Sequence, residues 1–168
     1  MRIYLTGFMG AGKSAVGGKL AKLLGCPFLD LDAAVEERAG MSIPAIFDRQ
    51  GENAFRDLEH ECLKGTSGMA NAVIATGGGL VTFERNREVL QELGTTVWLH
   101  PSFATIVGRL SKKGREARPL FRNESEARKL YRERLPAYRT ADLEIEIGAR
   151  ESIGQVTKRI AQQLRALL

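Results

Sequence analysis

Short apolar runs with strand character recur at residues 3–6, 27–31, 72–76, 95–99 and 143–147, and between them apolar residues return at helical spacing. The spacing predicts helices over 13–24, 32–39, 43–48, 52–64, 83–93, 103–110, 124–137 and 152–168. Several carry start signals: Ser42 ahead of Ile43-Pro44, and Thr82, Ser102 and Asn123 at N-cap positions. In the first helix Val16, Leu20, Leu23 and Leu24 make the apolar stripe and Gly25 supplies the stop. Gly17 and Gly18, poor helix formers inside it, point to close packing. This alternation of strands and helices predicts an α/β fold, a parallel sheet covered on both faces, with ligands bound beyond the carboxyl ends of its strands.

Two stretches depart from that alternation. About forty residues and three short helices separate the second strand from the third, more than one crossover needs, so residues 32–64 are a candidate acceptor-substrate insertion. Residues 111–121, Ser-Lys-Lys-Gly-Arg-Glu-Ala-Arg-Pro-Leu-Phe, are charged and weakly periodic and read as a mobile lid. No linker or repeat divides the 168 residues, so 1–168 reads as one domain.

Composition narrows the setting. With no basic-then-apolar leader and only short apolar runs, a soluble, cytoplasmic protein without a membrane partner is expected. No exposed apolar stripe suggests a dimer, so a monomer is expected. Cys26 and Cys62 lack metal-site spacing and read as small buried thiols. The net charge is +5, but residues 109–139 alone hold eleven Lys/Arg against four acids, leaving the remainder slightly acidic. Such a stretch suits either nucleic acid or clustered arginines that clamp anionic substrates. Without interleaved aromatics the second reading is favoured, and no nucleic-acid partner is expected.

The chemistry begins where the first strand ends. Gly7-Phe8-Met9-Gly10-Ala11-Gly12-Lys13-Ser14 is a complete G-x-x-x-x-G-K-[ST] phosphate loop. Its glycines let backbone N–H groups face phosphate oxygens, Lys13 adds a cation, Ser14 is a Mg²⁺ ligand, and the positive end of the following helix adds to the field. ATP with Mg²⁺ is therefore the implied ligand. Asp30 and Asp32 close the second strand, where alternation would project both carboxylates to one face; one can hold Mg²⁺ through water and the other accept a hydroxyl proton. Capping of the next helix by Asp32 is the alternative. No strand ends in the acid of an ordinary Walker-B motif, so Asp30 takes the metal role, with Thr76 as a possible helper.

Gly77-Gly78-Gly79 stands at the mouth of the sheet, where three residues without Cβ allow close approach of a ligand. Arg56 follows the core residue Phe55 and is suited either to bidentate carboxylate binding or to pairing with Glu52 or Glu59 in its own helix; Arg134 is equally open. Arg118, inside 111–121, is placed to act as an arginine finger in cis. His60 and His100 read as structural, Trp98 and Phe8 as packing residues, with Phe8 bordering the acceptor pocket.

These motifs, in this order and spacing, resemble the shikimate kinase family: Gly7-Phe8-Met9-Gly10 with Gly12-Lys13-Ser14, Phe28-Leu29-Asp30-Leu31-Asp32, Ile46-Phe47 with Gly51-Glu52 and Phe55-Arg56, Ala75-Thr76-Gly77-Gly78-Gly79, Arg118-Pro119-Leu120, and Arg134 before Pro136. The resemblance implies a three-layer sandwich around a five-stranded parallel sheet of order 2-3-1-4-5. It implies ATP-dependent phosphorylation of shikimate, with Lys13, Asp32 and Arg118 catalytic and Mg²⁺ held by Ser14 and, through water, Asp30. ATP would contact Gly10, Ala11, Gly12, Lys13, Ser14, Ala15, Arg118, and, at the adenine, Arg109 and Arg150. Shikimate would contact Asp32, Arg56, Gly77, Gly78, Gly79 and Arg134. The lid differs from the family's commoner pattern in Phe121, and the turn 148–151 matches its adenine loop only loosely.

Overall fold

The structure, a computed structural model, describes residues 1–110 and 123–167. In chain order its elements are β1 (Arg2–Thr6), α1 (Lys13–Leu24), β2 (Phe28–Asp30), α2 (Leu31–Ala39), α3 (Ile43–Gln50), α4 (Glu52–Gly65), β3 (Ala72–Ala75), α5 (Glu84–Leu93), β4 (Thr95–Pro101), α6 (Phe103–Arg109), α7 (Glu124–Tyr138), β5 (Leu143–Ile147) and α8 (Ile153–Ala166). Every strand pairing is parallel and the order is β2-β3-β1-β4-β5. The α/β class, the parallel sheet and its order are as expected.

Strand alternation sorts the side chains into two cores. Ile3 and Leu5 of β1, with Val73, Val97, Leu99 and Ile145, pack on Leu20 of α1 and Ile160 of α8. Tyr4, Ile74 and Trp98 point the other way, onto Leu90 of α5 and Tyr138 of α7. Each large apolar side chain buried this way contributes roughly 1.5–3 kcal/mol. The helices between β2 and β3 add a small core of their own, in which Val35, Ile46 and Phe55 are buried together.

Several local expectations change. β2 ends at Asp30 and α2 begins at Leu31, so Asp32 lies in the first helical turn instead of on the strand. The helix cap is Asp30, whose Oδ1 accepts the N–H groups of Asp32 at 2.9 Å and Ala33 at 3.4 Å. Ser42, Ser102 and Asn123 cap their helices. Thr82 does not; its hydroxyl donates back to the Gly79 carbonyl at 2.6 Å. Gly17 is needed for packing, since a Cβ there would stand 2.5 Å from the Phe28 ring, whereas Gly18 faces open space. Both cysteines are only half-buried, free thiols. The stretch 111–121, read as a lid, lies outside the described residues.

Candidate active site

The phosphate loop joins β1 to α1, and its shape is set by backbone conformation. Gly10 and Gly12 have φ of 78° and 96°, a region that side chains strain, and Ala11 N donates to Phe8 O at 3.1 Å to close the turn. Lys13 opens α1, where its Nζ donates to the carbonyls of Gly7 at 2.5 Å and Phe8 at 3.0 Å. Ser14 Oγ donates to Asp30 Oδ2 at 2.6 Å. The two oxygens of Asp30 thus face different ways: one caps α2, the other meets Ser14. A hydroxyl beside a carboxylate, both hard oxygen donors at the first turn of a phosphate-loop helix, fits Mg²⁺. Thr76 is committed elsewhere, its hydroxyl donating to Leu5 O at 3.0 Å.

Across from this loop, the turn after β3 gathers the other candidates. A Cβ on Gly79 would lie 2.7 and 2.8 Å from the two terminal nitrogens of Arg56 and 3.0 Å from one of Arg134, so both guanidinium groups converge over Gly79. A Cβ on Gly77 would meet Glu59 Oε2 at 2.5 Å and Asp32 Oδ1 at 3.0 Å; one on Gly78 would come 3.3 Å from Arg134 and from Met9 N of the phosphate loop. The glycines therefore let α2, α4, α7 and the phosphate loop meet at one spot.

Both arginines are 6% exposed. Arg56 pairs with Glu59 at 3.0 Å and Glu52 at 3.3 Å, and lies against the rings of Phe55 and Phe83. Arg134 stands over Phe8, 5.8 Å from the ring centroid. Burying cations this deeply is costly unless they are paired. Glu59, 1% exposed, offsets part of that cost, yet its Oε2 has no hydrogen-bond partner. Burial pushes the Glu59 carboxyl up and Asp32 pushes it the same way, against the pull of Arg56 and Arg134. Tyr138 donates to Gly78 O at 2.6 Å, and burial pushes its phenol up to about 12, so it remains a donor. Two planar cations fixed beside glycine backbone, with a carboxylate within reach, suit an anionic acceptor that carries a hydroxyl.

The model of the shikimate kinase family matches residues 9–165. The chain belongs to the shikimate kinase family. It is 47% identical to the shikimate kinase of Geobacter sulfurreducens over 166 residues, covering 97% of this chain and 90% of that one. Its structure is similar to that of shikimate kinase from Acinetobacter baumannii in complex with shikimate, with a TM-score of 0.90, 37% identity and coverage of 98% and 93% of the two chains. Shikimate kinase from Aquifex aeolicus follows at TM-score 0.85 and 38% identity, with 99% and 97% covered.

In this member of the shikimate kinase family the structure brings Asp32, Arg56, Arg134 and Gly77 to Gly79 together, with Lys13 and Ser14 facing them at the end of the phosphate loop and Asp30, at the end of β2, meeting Ser14. Arg109 and Arg150 line one cleft of about 390 Å³ with Gly10, Ala11, Gly12 and Ala15 of the phosphate loop and the start of α1. Arg118 lies outside the described residues. The pairing of Arg56 with Glu52 and Glu59, an open alternative from sequence, coexists with its place over Gly79. Sequence reasoning missed Glu59 and Tyr138 as parts of the site. Their signal was faint: Glu59 shares its helix face with Arg56, three residues on, and Tyr138 stands four beyond Arg134. His100, read as structural, is held on two sides. Its Nδ1 meets Glu144 Oε1 at 2.7 Å across the β4–β5 pair, and its ring stacks on Trp98.

Proposed function

We propose that this chain transfers the γ-phosphoryl group of ATP to the 3-hydroxyl of shikimate, giving shikimate 3-phosphate and ADP on the route to chorismate and the aromatic amino acids. The observation that carries the reading is the convergence of Arg56 and Arg134 over Gly79, beside Asp32 and against the phosphate loop. The two guanidiniums bind the acceptor's carboxylate, and the backbone of Gly77, Gly78 and Gly79 allows its ring close. Asp32 orients the attacking hydroxyl and takes its proton as the oxygen–phosphorus bond forms and the bond to the β-phosphate oxygen breaks. Lys13 and Arg118 neutralise charge on the transferring group, while Gly10, Ala11, Gly12, Ser14 and Ala15 cradle the phosphates. Arg109 and Arg150 flank the adenine.

Mg²⁺, held by Ser14 and through water by Asp30, supplies charge neutralisation on the phosphate oxygens when bound. We read the chain as one kinase domain over 1–168, with 32–64 contributing the acceptor side and 111–121 serving as the lid. It acts as a cytoplasmic monomer with neither nucleic acid nor membrane as partner; none of the described helices is long and apolar enough to cross a membrane. A coupled ADP-release assay with shikimate, gluconate and nucleoside monophosphates in parallel tests the substrate. Turnover is expected with shikimate alone; turnover with gluconate but not shikimate would overturn the reading.

A further inference from the structure

The turn that carries Gly78 and Gly79 is held from behind. Four successive carbonyls accept side-chain donors: Gly78 from Tyr138 at 2.6 Å, Gly79 from Thr82 at 2.6 Å, Leu80 from Asn86 Nδ2 at 2.8 Å and Val81 from Arg87 at 2.8 Å. Among the described residues, Asn86 carries its hydrogen bonding on to a further element. It is 1% exposed, and its Oδ1 meets His60 Nδ1 at 2.7 Å. Since the Leu80 carbonyl can only accept, Nδ2 must face it, and His60 must then carry its proton on Nδ1. His60 lies on α4 four residues after Arg56, on the same helix face. The path runs from the helix that bears Arg56, through His60 and Asn86, to the carbonyl next to Gly79. Tyr138 makes the corresponding tie from α7, which bears Arg134.

We infer that Asn86 is a positioning residue for the acceptor pocket: with His60 it fixes the separation between the Arg56 guanidinium and the Gly78-Gly79 backbone. The inference rests on the reading of those groups as acceptor-binding. Neither Asn86 nor His60 is placed against the nucleotide cleft, so the strap acts on one substrate only.

The test is steady-state kinetics on Asn86→Leu, which removes both bonds at similar volume, on His60→Phe, which cuts only the tie to α4, and on the pair combined. Displacements of an ångström can cost up to about 100-fold in rate, and a partial loosening is expected to raise the shikimate KM on the order of tenfold in each single variant. The ATP KM should stay within about twofold, and the double variant should be no worse than Asn86→Leu alone, because the changes share one path. An unchanged shikimate KM in the folded variants, or equal rises for both substrates, would overturn the inference. Should Asn86→Leu fail to fold, His60→Phe decides by the same two measurements. Failure of the underlying reading looks different: wild-type protein without shikimate turnover, or an Arg56→Ala variant with unaltered shikimate KM.

Discussion

The proposed donor and acceptor halves of this site are built on opposite plans. The donor half is one uninterrupted loop, Gly7 to Ser14, whose function lies in backbone conformation and in the end of a helix. The acceptor half is collected from α2, α4, the turn after β3 and α7, and three of its charged groups, Arg56, Arg134 and Glu59, are buried. Backbone N–H groups need only the right dihedral angles, which glycine provides locally. Buried guanidiniums need partners and packing around them, so Glu59, Phe55, Phe83 and Phe8 become part of the design. Under the proposed function, the contrast makes one half generic and the other selective. A curled loop suits any triphosphate, whereas two fixed forks beside a carboxylate suit few acceptors.

That contrast breaks most sharply at Lys13. Lys13→Ala should lower kcat by at least roughly 10²–10³, the scale of losing one pre-placed electrostatic donor, while calorimetric titration of shikimate gives an unaltered Kd. Equal loss of shikimate binding would mean that the halves are not separately built. On the other side, Arg134→Lys keeps the charge and removes the fork. It should raise the shikimate KM about tenfold, with the ATP KM unmoved in the same assay. The smallest effect is on stability. Burial raises the Glu59 pKa above its ordinary 4.5, so at pH between the two values the folded chain holds a proton that the unfolded chain has released. That contribution is complete below the ordinary value and is lost as pH rises through the raised one. Thermal melts should therefore show the wild type falling relative to Glu59→Gln as pH rises above 4.5. Parallel curves would mean that Arg56 compensates the carboxylate fully.

The legible part of the molecule follows the same division. Periodicity placed all five strands and the helices flanking them to within a few residues, since both depend on which side chains alternate toward the cores. The strand order came only with the family resemblance, because no local pattern encodes which strand lies beside which. β4 runs on to Pro101 because His100 and Pro101 find partners in Glu146 and Ile147, a contact of residues over forty positions apart. The junction at Asp30 was misread for a related reason: a run of alternating apolar and acidic residues fits a strand end and a helix start equally well until the cap is seen. Glu59 was passed over as a helix-face acid. What marks it is its burial among residues from other elements.

Asp30 has a consequence that neither half shows alone. One of its oxygens fixes the first turn of the helix bearing Asp32, and the other meets Ser14 at the head of α1. A single carboxylate is thus a shared hinge pin between the nucleotide side and the acceptor side. A cation held at its outer oxygen would act on a group whose inner oxygen caps the helix of Asp32, the proposed proton acceptor, so occupancy on one side and alignment on the other would be thermodynamically reciprocal.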